Sequence, residues 1–206
     1  ALSTATTQGY NVAVGSAALS SATSAENVAV GYRAGAATSS SGANTYVGYQ
    51  AGVANTTGQN TGIGNNVLAA NETGTGNTAI GLKAMQANVD GDNNVAIGDA
   101  ALYNMDPSGN VDMYNVAIGY QASRGCTTGI KNVSIGGDAL YSDDTGSNSV
   151  AIGYKALYAQ NPSGASDMEN TSIGYQSGMA LTTGNRNTFI GTSAGDTTTT
   201  GANNTV

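Results

Sequence analysis

The sequence predicts an all-β protein, a parallel β-solenoid (β-roll) of about twelve coils with a residue period of 16–17. Three observations lead to this fold class. A pentapeptide that begins with Asn recurs along the chain, its apolar residues alternate with a period of two, and a glycine ends every copy. Regular repeats of this kind are typical of stacked architectures, because one unit buries too little apolar surface to be stable alone. We expect a single repeat domain over residues 1–206.

The pentapeptide first reads Asn11-Val-Ala-Val-Gly15, and position 1 of each coil is counted here from its first residue. It starts again at Asn27, Asn44, Asn60, Asn77, Asn94, Asn115, Asn132, Ser149, Asn170 and Asn187. Successive starts differ by 16 or 17 in residue number, except for two that differ by 21. We also expect a twelfth start at Asn203.

Position 2 of the pentapeptide is always Val or Thr, and position 4 is always Val or Ile. Alternate residues of a strand share one face, so the residues at position 4 should stack into one apolar ladder. We expect this ladder to be the core, and Ile118→Asp to disrupt several coils by burying a charge. The ladder comprises Val14, Val30, Val47, Ile63, Ile80, Ile97, Ile118, Ile135, Ile152, Ile173 and Ile190.

Positions 1 and 5 are predicted to be structural as well. Stacked Asn amides can hydrogen bond along the axis, and a Gly at position 5 fits a sharp corner with positive φ. A small residue at position 8 and its neighbour at position 9 should fill the remaining interior. In the central coils the predicted ladder residues are Asn94, Ile97, Gly98, Asn115, Ile118, Gly119, Asn132, Ile135 and Gly136.

Composition excludes several classes of function. The chain has six Lys and Arg, thirteen Asp and Glu and a net charge of −7, which argues against binding nucleic acid. It has no His and a single cysteine, Cys126, so His-dependent triads, thiolate zinc sites and disulfides are not expected. We predict no catalytic residue, no metal and no cofactor. Leu, Ile, Val and Phe total only 32 of 206 residues, which leaves disorder as an alternative.

Two coils, 94–114 and 149–169, are longer by four residues and share Pro-Ser-Gly and Asp-Met. Insertions in solenoids lie in surface loops on one face, often the binding face. A longer turn without a ligand is the alternative interpretation. The candidate recognition residues are Tyr103, Asp106, Pro107, Ser108 and Gly109 in the first coil, and Tyr158, Asn161, Pro162, Ser163 and Gly164 in the second.

The tyrosines that follow the corner Gly should form a surface ladder that packs between chains or stacks on sugars. They are Tyr32, Tyr49, Tyr120, Tyr154 and Tyr175. The closest carboxylate pairs are Asp90 with Asp92, Asp143 with Asp144, and Asp167 with Glu169. We expect all of these to be solvated acids in turns rather than an acid and base pair of a glycosidase.

No run of about 18 apolar residues is present, so we expect no membrane insertion. Ala1-Leu2 stands ten residues before Asn11, at the eighth position of a repeat. No atypical capping unit is visible at either end. The sequence therefore predicts a segment of a longer fibre, or a subunit whose ends meet those of its neighbours.

The unit Asn-Val-Ala-Ile-Gly-Tyr-x-Ala-Leu, followed by a Thr-Thr-Gly turn, resembles the repeats of bacteriophage tail-fibre proteins. More distantly, it resembles the head repeats of trimeric autotransporter adhesins, which are a few residues shorter. The resemblance implies a left-handed β-roll in which three chains pack around a common axis.

On these grounds we expect a non-enzymatic shaft of an extracellular fibre, such as a phage tail fibre that takes part in host attachment. Its partners would be further copies of itself, as a homotrimer or head-to-tail polymer, and a cell-surface glycan or protein receptor. A self-assembling extracellular filament or a bacterial surface adhesin are the alternatives.

Overall fold

The computed structural model describes residues 9–206 and confirms a β-solenoid built of strands without helices. Eleven three-residue strands form one parallel sheet: β1 (Val12–Val14), β2 (Val28–Val30), β3 (Thr45–Val47), β4 (Thr61–Ile63), β5 (Thr78–Ile80), β7 (Val95–Ile97), β9 (Val116–Ile118), β10 (Val133–Ile135), β12 (Val150–Ile152), β14 (Thr171–Ile173) and β15 (Thr188–Ile190). The longer coils add β6 (Gly91–Asp92) paired with β8 (Val111–Asp112), and β11 (Gly146–Ser147) paired with β13 (Ser166–Asp167).

Every strand of the large sheet pairs in parallel with the equivalent strand of the next coil, without a shift in register. Ile97 pairs with Ile118 and Ile118 pairs with Ile135, even though the first step spans one of the longer coils. The sequence period therefore becomes a spatial one, in which each position of the repeat stacks on itself. The predicted ladders exist as columns along the axis.

The twelfth start is one residue later than the sequence analysis placed it. The backbone N–H of Asn204, not of Asn203, donates to Asn187 Oδ1 at 3.0 Å, and Thr205 bridges to Thr188. Asn203 instead occupies the left-handed conformation (φ 59°) found just before each pentapeptide. The prediction based on Ala1 and Leu2 lies outside the described residues.

The assignment of the position-4 ladder to the core is wrong. In β9, Ala117 is fully buried whereas Val116 and Ile118 are not, and the middle residue is likewise the buried one in every other strand of the sheet except β1, where Ala13 is half-buried. Ile190 at 61% exposure and Val14 at 57% show the orientation most clearly. The physical reason is space, since the narrow coil interior accepts Ala at position 3 but has no room for two branched side chains per strand. The prediction that Ile118→Asp disrupts several coils assumed a side chain inside the coil, and Ile118 does not point there.

The core instead consists of four inward columns, at positions 3, 8, 9 and 12. Positions 8 and 9 contain the predicted small residue and its Leu or Met neighbour, such as Ala101 and Leu102, and both are fully buried. Position 12 runs through Ala22, Thr38, Asn55, Asn71, Asn88, Met105, Cys126, Asp143, Gln160 and Leu181, all at most 2% exposed. More than half of this column is polar, which the sequence analysis did not anticipate.

Side-chain volumes compensate between positions 3 and 9. Tyr46 is the largest side chain at position 3 in the first half of the stack, and it lies beside Gly35 and Gly52 at position 9. A methyl group at Gly52 would overlap the Tyr46 ring. Phe189 is accommodated in the same way by Gly178 and Gly195. Most coils with Ala at position 3 have Leu or Met at position 9, as in Ala96 with Leu102, so the interior stays filled.

The glycine at position 5 is required by two separate constraints. In all eleven coils it has φ between 124° and 145°, a region that side chains rarely adopt. In addition, a Cβ on Gly119 would lie 2.5 Å from the carbonyl oxygen of Gly136 in the next coil. The coils can therefore approach to backbone hydrogen-bonding distance at this corner only because no side chain separates them.

The Asn residues at position 1 form the predicted ladder. The side-chain oxygen of each Asn accepts a hydrogen bond from the backbone N–H at position 1 of the following coil, as at Asn77 to Asn94 (3.0 Å) and Asn94 to Asn115 (3.0 Å). Most side-chain amides also donate to a turn carbonyl, such as Asn115 Nδ2 to Gly129 O at 2.8 Å. The buried amides are thus satisfied by the stack itself.

Volume compensation predicts a rescue. We expect Gly52→Leu to destabilise the stack strongly by overpacking against Tyr46, and Tyr46→Ala to cost about 3–5 kcal/mol by leaving a cavity. The double variant recreates the Ala and Leu pair of other coils and should recover much of the loss. Thermal melting of the four proteins provides the double-mutant cycle, and strictly additive losses would contradict the proposed contact.

The corner glycine predicts a second contrast. Gly119→Ala should lower the melting temperature far more than Gly109→Ala, because Gly109 also has positive φ (93°) but no atom within 4 Å of the added Cβ. Backbone strain alone costs about 1–3 kcal/mol and should affect both variants. The difference between the two melting temperatures therefore measures the contact between coils at Gly119. Equal losses in the two variants would show that close packing at the corner is unimportant.

Candidate functional site

The first inserted segment leaves the stack, exposes a short tip and then returns to it. Asp106 is exposed and its backbone N–H donates to Thr127 O at 3.2 Å, whereas Pro107 is buried beside Gly91. Ser108 and Gly109 are exposed at the tip. Of the predicted recognition residues in this segment, Asp106, Ser108 and Gly109 are therefore presented to solvent, and Tyr103 is half-buried in the preceding turn.

The second inserted segment has the same plan. Asn161, Ser163 and Gly164 are exposed, and Pro162 is half-buried and accepts a hydrogen bond from Gly164 N at 3.0 Å. Tyr158 is half-buried in the turn before the segment. The two tips lie three coils apart, about 14 Å along the axis at the usual strand spacing, so they are separate protrusions rather than one site.

The shared Asp-Met element serves the fold. Asp112 and Asp167 lie in β8 and β13, and the methionines that follow them, Met113 and Met168, are at most 1% exposed. The backbone N–H of Met113 donates to Asp92 O at 3.1 Å. The inserts are thus only partly surface loops, because their second halves add short strands and return an apolar side chain to the core.

Surface tyrosines stack where neighbouring coils both have one at position 6. The rings of Tyr32 and Tyr49 are 5.4 Å apart, and those of Tyr154 and Tyr175 are 5.6 Å apart. All four are 44–51% exposed. The predicted surface ladder therefore exists in two short runs. It lies next to the corner formed by the position-5 glycines, where the strands of the large sheet end.

A second row contains the two tyrosines that precede the inserts. Arg124 lies over the Tyr103 ring at 5.2 Å, and Tyr141 stacks on Tyr158 at 5.2 Å. Lys155 is 5.1 Å from the centre of the Tyr158 ring. The ring faces of Tyr103 and Tyr158 already have partners within the chain, so a sugar would need to displace these contacts in order to stack there.

The carboxylate pairs have structural partners. Asp90 accepts a hydrogen bond from Thr73 Oγ1 at 2.6 Å, and Asp92 accepts one from Thr75 N at 2.6 Å. Glu169 forms an exposed ion pair with Arg186 at 2.8 Å. The prediction of solvated turn acids is wrong for one residue, since Asp143 is only 1% exposed.

Asp143 belongs to a buried polar cluster at the point where the Asn ladder is interrupted by Ser149. Its Oδ2 accepts from Gln160 Nε2 at 2.6 Å and its Oδ1 accepts from Gly146 N at 2.8 Å. Gln160 Nε2 also donates to Ser149 Oγ at 3.0 Å, and Gln160 Oε1 accepts from Asn170 Nδ2 at 2.8 Å. Gln160 therefore bridges the missing step of the ladder.

Burial dominates the acid–base properties of this cluster. It raises the pKa of Asp143 to about 6, despite the two hydrogen bonds that favour the charged form. In the preceding coil, burial and the charge of Asp143 raise the pKa of the Cys126 thiol to about 12. Cys126 is fully enclosed and its Sγ lies 3.4 Å from Gly129 O, so it is a packing residue of the position-12 column.

An open groove lies at a different corner, between the early coils. It is lined by small or polar residues, among which Glu26 is the sole ionisable one. Across residues 9–206, no three Cys, Asp or Glu side chains are grouped in a way that could hold a metal ion. The same residues contain no helix that could cross a bilayer.

The buried polar column at position 12 was not predicted, although the sequence contains a signal for it. Aligning the coils on Asn shows Asn71, Asn88, Asp143 and Gln160 at one position, together with Met105 and Cys126. A column that mixes amides with Met and Cys indicates burial, because surface turns rarely need Met or Cys. The burial of Met113 and Met168 could have been predicted in the same way, since both inserts contain Asp-Met.

The buried carboxyl predicts a pH-dependent stability. The pKa of Asp143 is about 6 in the folded protein and 3.8 in the unfolded chain, so the ionised carboxylate destabilises the folded state. This destabilisation is absent below about pH 4 and complete above about pH 6. The full effect is about 3 kcal/mol. Asp143→Asn should remove this pH dependence and raise the melting temperature at pH 7, because Asn88 already occupies the equivalent place.

Melting curves between pH 4 and 7.5 provide the measurement. Asp106→Asn, at an exposed turn, is the control and should leave the pH profile unchanged. A profile that is as steep in Asp143→Asn as in the unaltered protein would assign the titration to another group.

Comparison with known proteins yields no match, since no protein-family model, curated protein or solved structure is similar to this chain.

Proposed function

We propose that the chain is the non-enzymatic structural shaft of an extracellular fibre, specifically of a bacteriophage tail fibre that takes part in host attachment. The observation that carries the proposal is the uninterrupted stack of eleven coils in constant register. Such a stack of in-register strands extends about 50 Å along one axis, at about 4.8 Å per coil. An elongated body of this kind suits holding two objects apart.

The internal contacts favour a load-bearing role. Backbone hydrogen bonds run from coil to coil along the axis, as from Val116 N to Asn132 O (2.8 Å) and from Gly119 N to Ile97 O (2.7 Å). The Asn ladder adds buried hydrogen bonds in the same direction. Pulling the ends of the stack apart would break many parallel hydrogen bonds at once, which suits a shaft.

The ionisable groups also fit a structural role. The acids that come closest in sequence are engaged in hydrogen bonds to threonines and backbone or in an exposed ion pair, and the buried one bridges two coils. The exposed tips of the inserts remain the best candidates for contact with a cell-surface glycan or protein receptor. In this proposal each chain is a left-handed β-roll and three such chains pack around a common axis, as the resemblance to tail-fibre repeats implies.

A self-assembling extracellular filament or a bacterial surface adhesin is the alternative. The specific observation in its favour is that one parallel pairing pattern joins every two neighbouring coils from β1 to β15. Coils of different copies could pair by the same pattern, and repeated addition would give an open-ended polymer.

The mass of the native particle distinguishes the two. Light scattering coupled to size-exclusion chromatography should give one discrete mass near three times the 20.3 kDa chain for the shaft. A broad distribution whose mean mass rises with protein concentration would instead favour the filament. A particle of one chain at all concentrations would count against both.

A further inference from the structure

The exposed apolar side chains of this protein are concentrated on one side of the stack. Within residues 9–206, twelve of the sixteen large apolar side chains that are exposed lie at positions 2, 4 or 6. Positions 2 and 4 of the eleven strands are here named the outer sheet face, and the position-6 residues form its edge. Eight of the nine Ile residues in the protein lie on this face.

The outer sheet face carries no charge. All 22 of its positions are Val, Ile or Thr. Preference for β-structure would explain branched residues, but solvent-facing strands normally include Lys, Glu or Arg, which prevent association. A chain with so few large aliphatic residues places more than half of them where they are only partly buried. That distribution indicates a surface that is covered in the assembled protein.

The dimensions of the face also exceed those of an ordinary surface patch. Eleven strands at about 4.8 Å give a length of about 50 Å, and two side-chain columns about 7 Å apart give a width of about 12 Å with their atoms. The resulting area is about 600 Å², at the upper end for the largest patch of a monomer. Two such faces in contact would bury about 1,200 Å², the lower end for stable complexes, before the edge tyrosines are counted.

The spacing of the side chains on the outer sheet face indicates which partner fits it. The side chains form ridges that repeat at the coil spacing along the entire stack, as in Ile97, Ile118 and Ile135 on successive strands. Only a surface with the same spacing can fit its ridges between these along the whole length of the face. A further copy of this chain has that spacing by construction, and it has an equally uncharged face. A compact protein of another kind would contact only part of it.

We infer that copies of this chain associate side by side through the outer sheet face. The inference rests on the proposed function, since it identifies the surface by which the chains of the fibre meet. It also separates lateral association from end-to-end addition, which would use backbone pairing between coils of different copies and leave this face in water. The residues that the sequence suggested as a core thus form a core between chains.

The test places charges on the face without touching the interior. In the variant Ile97→Lys/Ile135→Lys, both altered side chains point outward from partly buried positions, so the coil should still form. Val111→Lys/Tyr114→Lys is the matched control, because these residues are 38% and 52% exposed but lie in the insert. We expect the face variant to have the mass of one chain and the control to keep the native mass, with unchanged circular dichroism in both.

A cross-linking measurement keeps the inference testable if the face variant does not fold. Ile97 lies in the sixth of the eleven strands, so copies in register bring it close to its own counterpart whether they run parallel or antiparallel. In a Cys126→Ser background, Ile97→Cys should form an inter-chain disulfide under mild oxidation, and Val111→Cys should not.

The outcomes separate this inference from the proposed function. A discrete trimer that persists in the folded face variant, without a disulfide at position 97, would overturn the inference and leave the shaft proposal standing. Open-ended polymers that persist would overturn the inference and favour the filament. Conversion of the native particle to single chains by the face variant alone would support it.

Discussion

Parallel hydrogen bonding between successive coils is the constraint on which the rest of this structure depends. Because each strand pairs with its equivalent without a shift in register, every residue type is stacked on residues of the same position. Columns, rather than individual residues, are therefore the units that must be compatible. An Asn column satisfies its own amides, a Gly column allows the backbones to approach, and an Ala column leaves room for Leu on the facing side. A residue is tolerated when its neighbours above and below accept it.

The interior shows how a chain with few large aliphatic residues can still be packed. Its coils are narrow, so small residues at positions 3 and 8 and one larger residue at position 9 suffice to fill them. Where Tyr46 or Phe189 replaces the small residue, glycines at position 9 supply the space. Two pairs of polar residues at position 12 are joined by hydrogen bonds across coils, Asn88 to Asn71 and Gln160 to Asp143, so the core combines close packing with local polar clusters.

The coil period, strand positions, Asn ladder and corner glycines could be predicted from the sequence because each is a local pattern repeated eleven times. The direction of the strand faces could not. An alternation with period two defines two faces, and hydrophobicity alone placed Val and Ile inside, although Ala117 is enclosed and Ile118 is not. The deciding quantity is the width of the coil, which depends on how the turns close in three dimensions. The burial of Asp143 was missed for the same reason, since a turn acid and a core acid look alike in a single unit.

The Asn ladder has a direction. With the exception of the step after Ser149, each amide oxygen accepts from the backbone N–H of the coil that follows it in the chain. During synthesis, the acceptor side chain of a coil is therefore complete before the segment that donates to it has emerged from the ribosome. Each finished coil is a template onto which the next can close, from the amino-terminal end toward the carboxy-terminal end. The polarity of one hydrogen bond, repeated along the stack, thus favours vectorial folding over a search among equivalent registers.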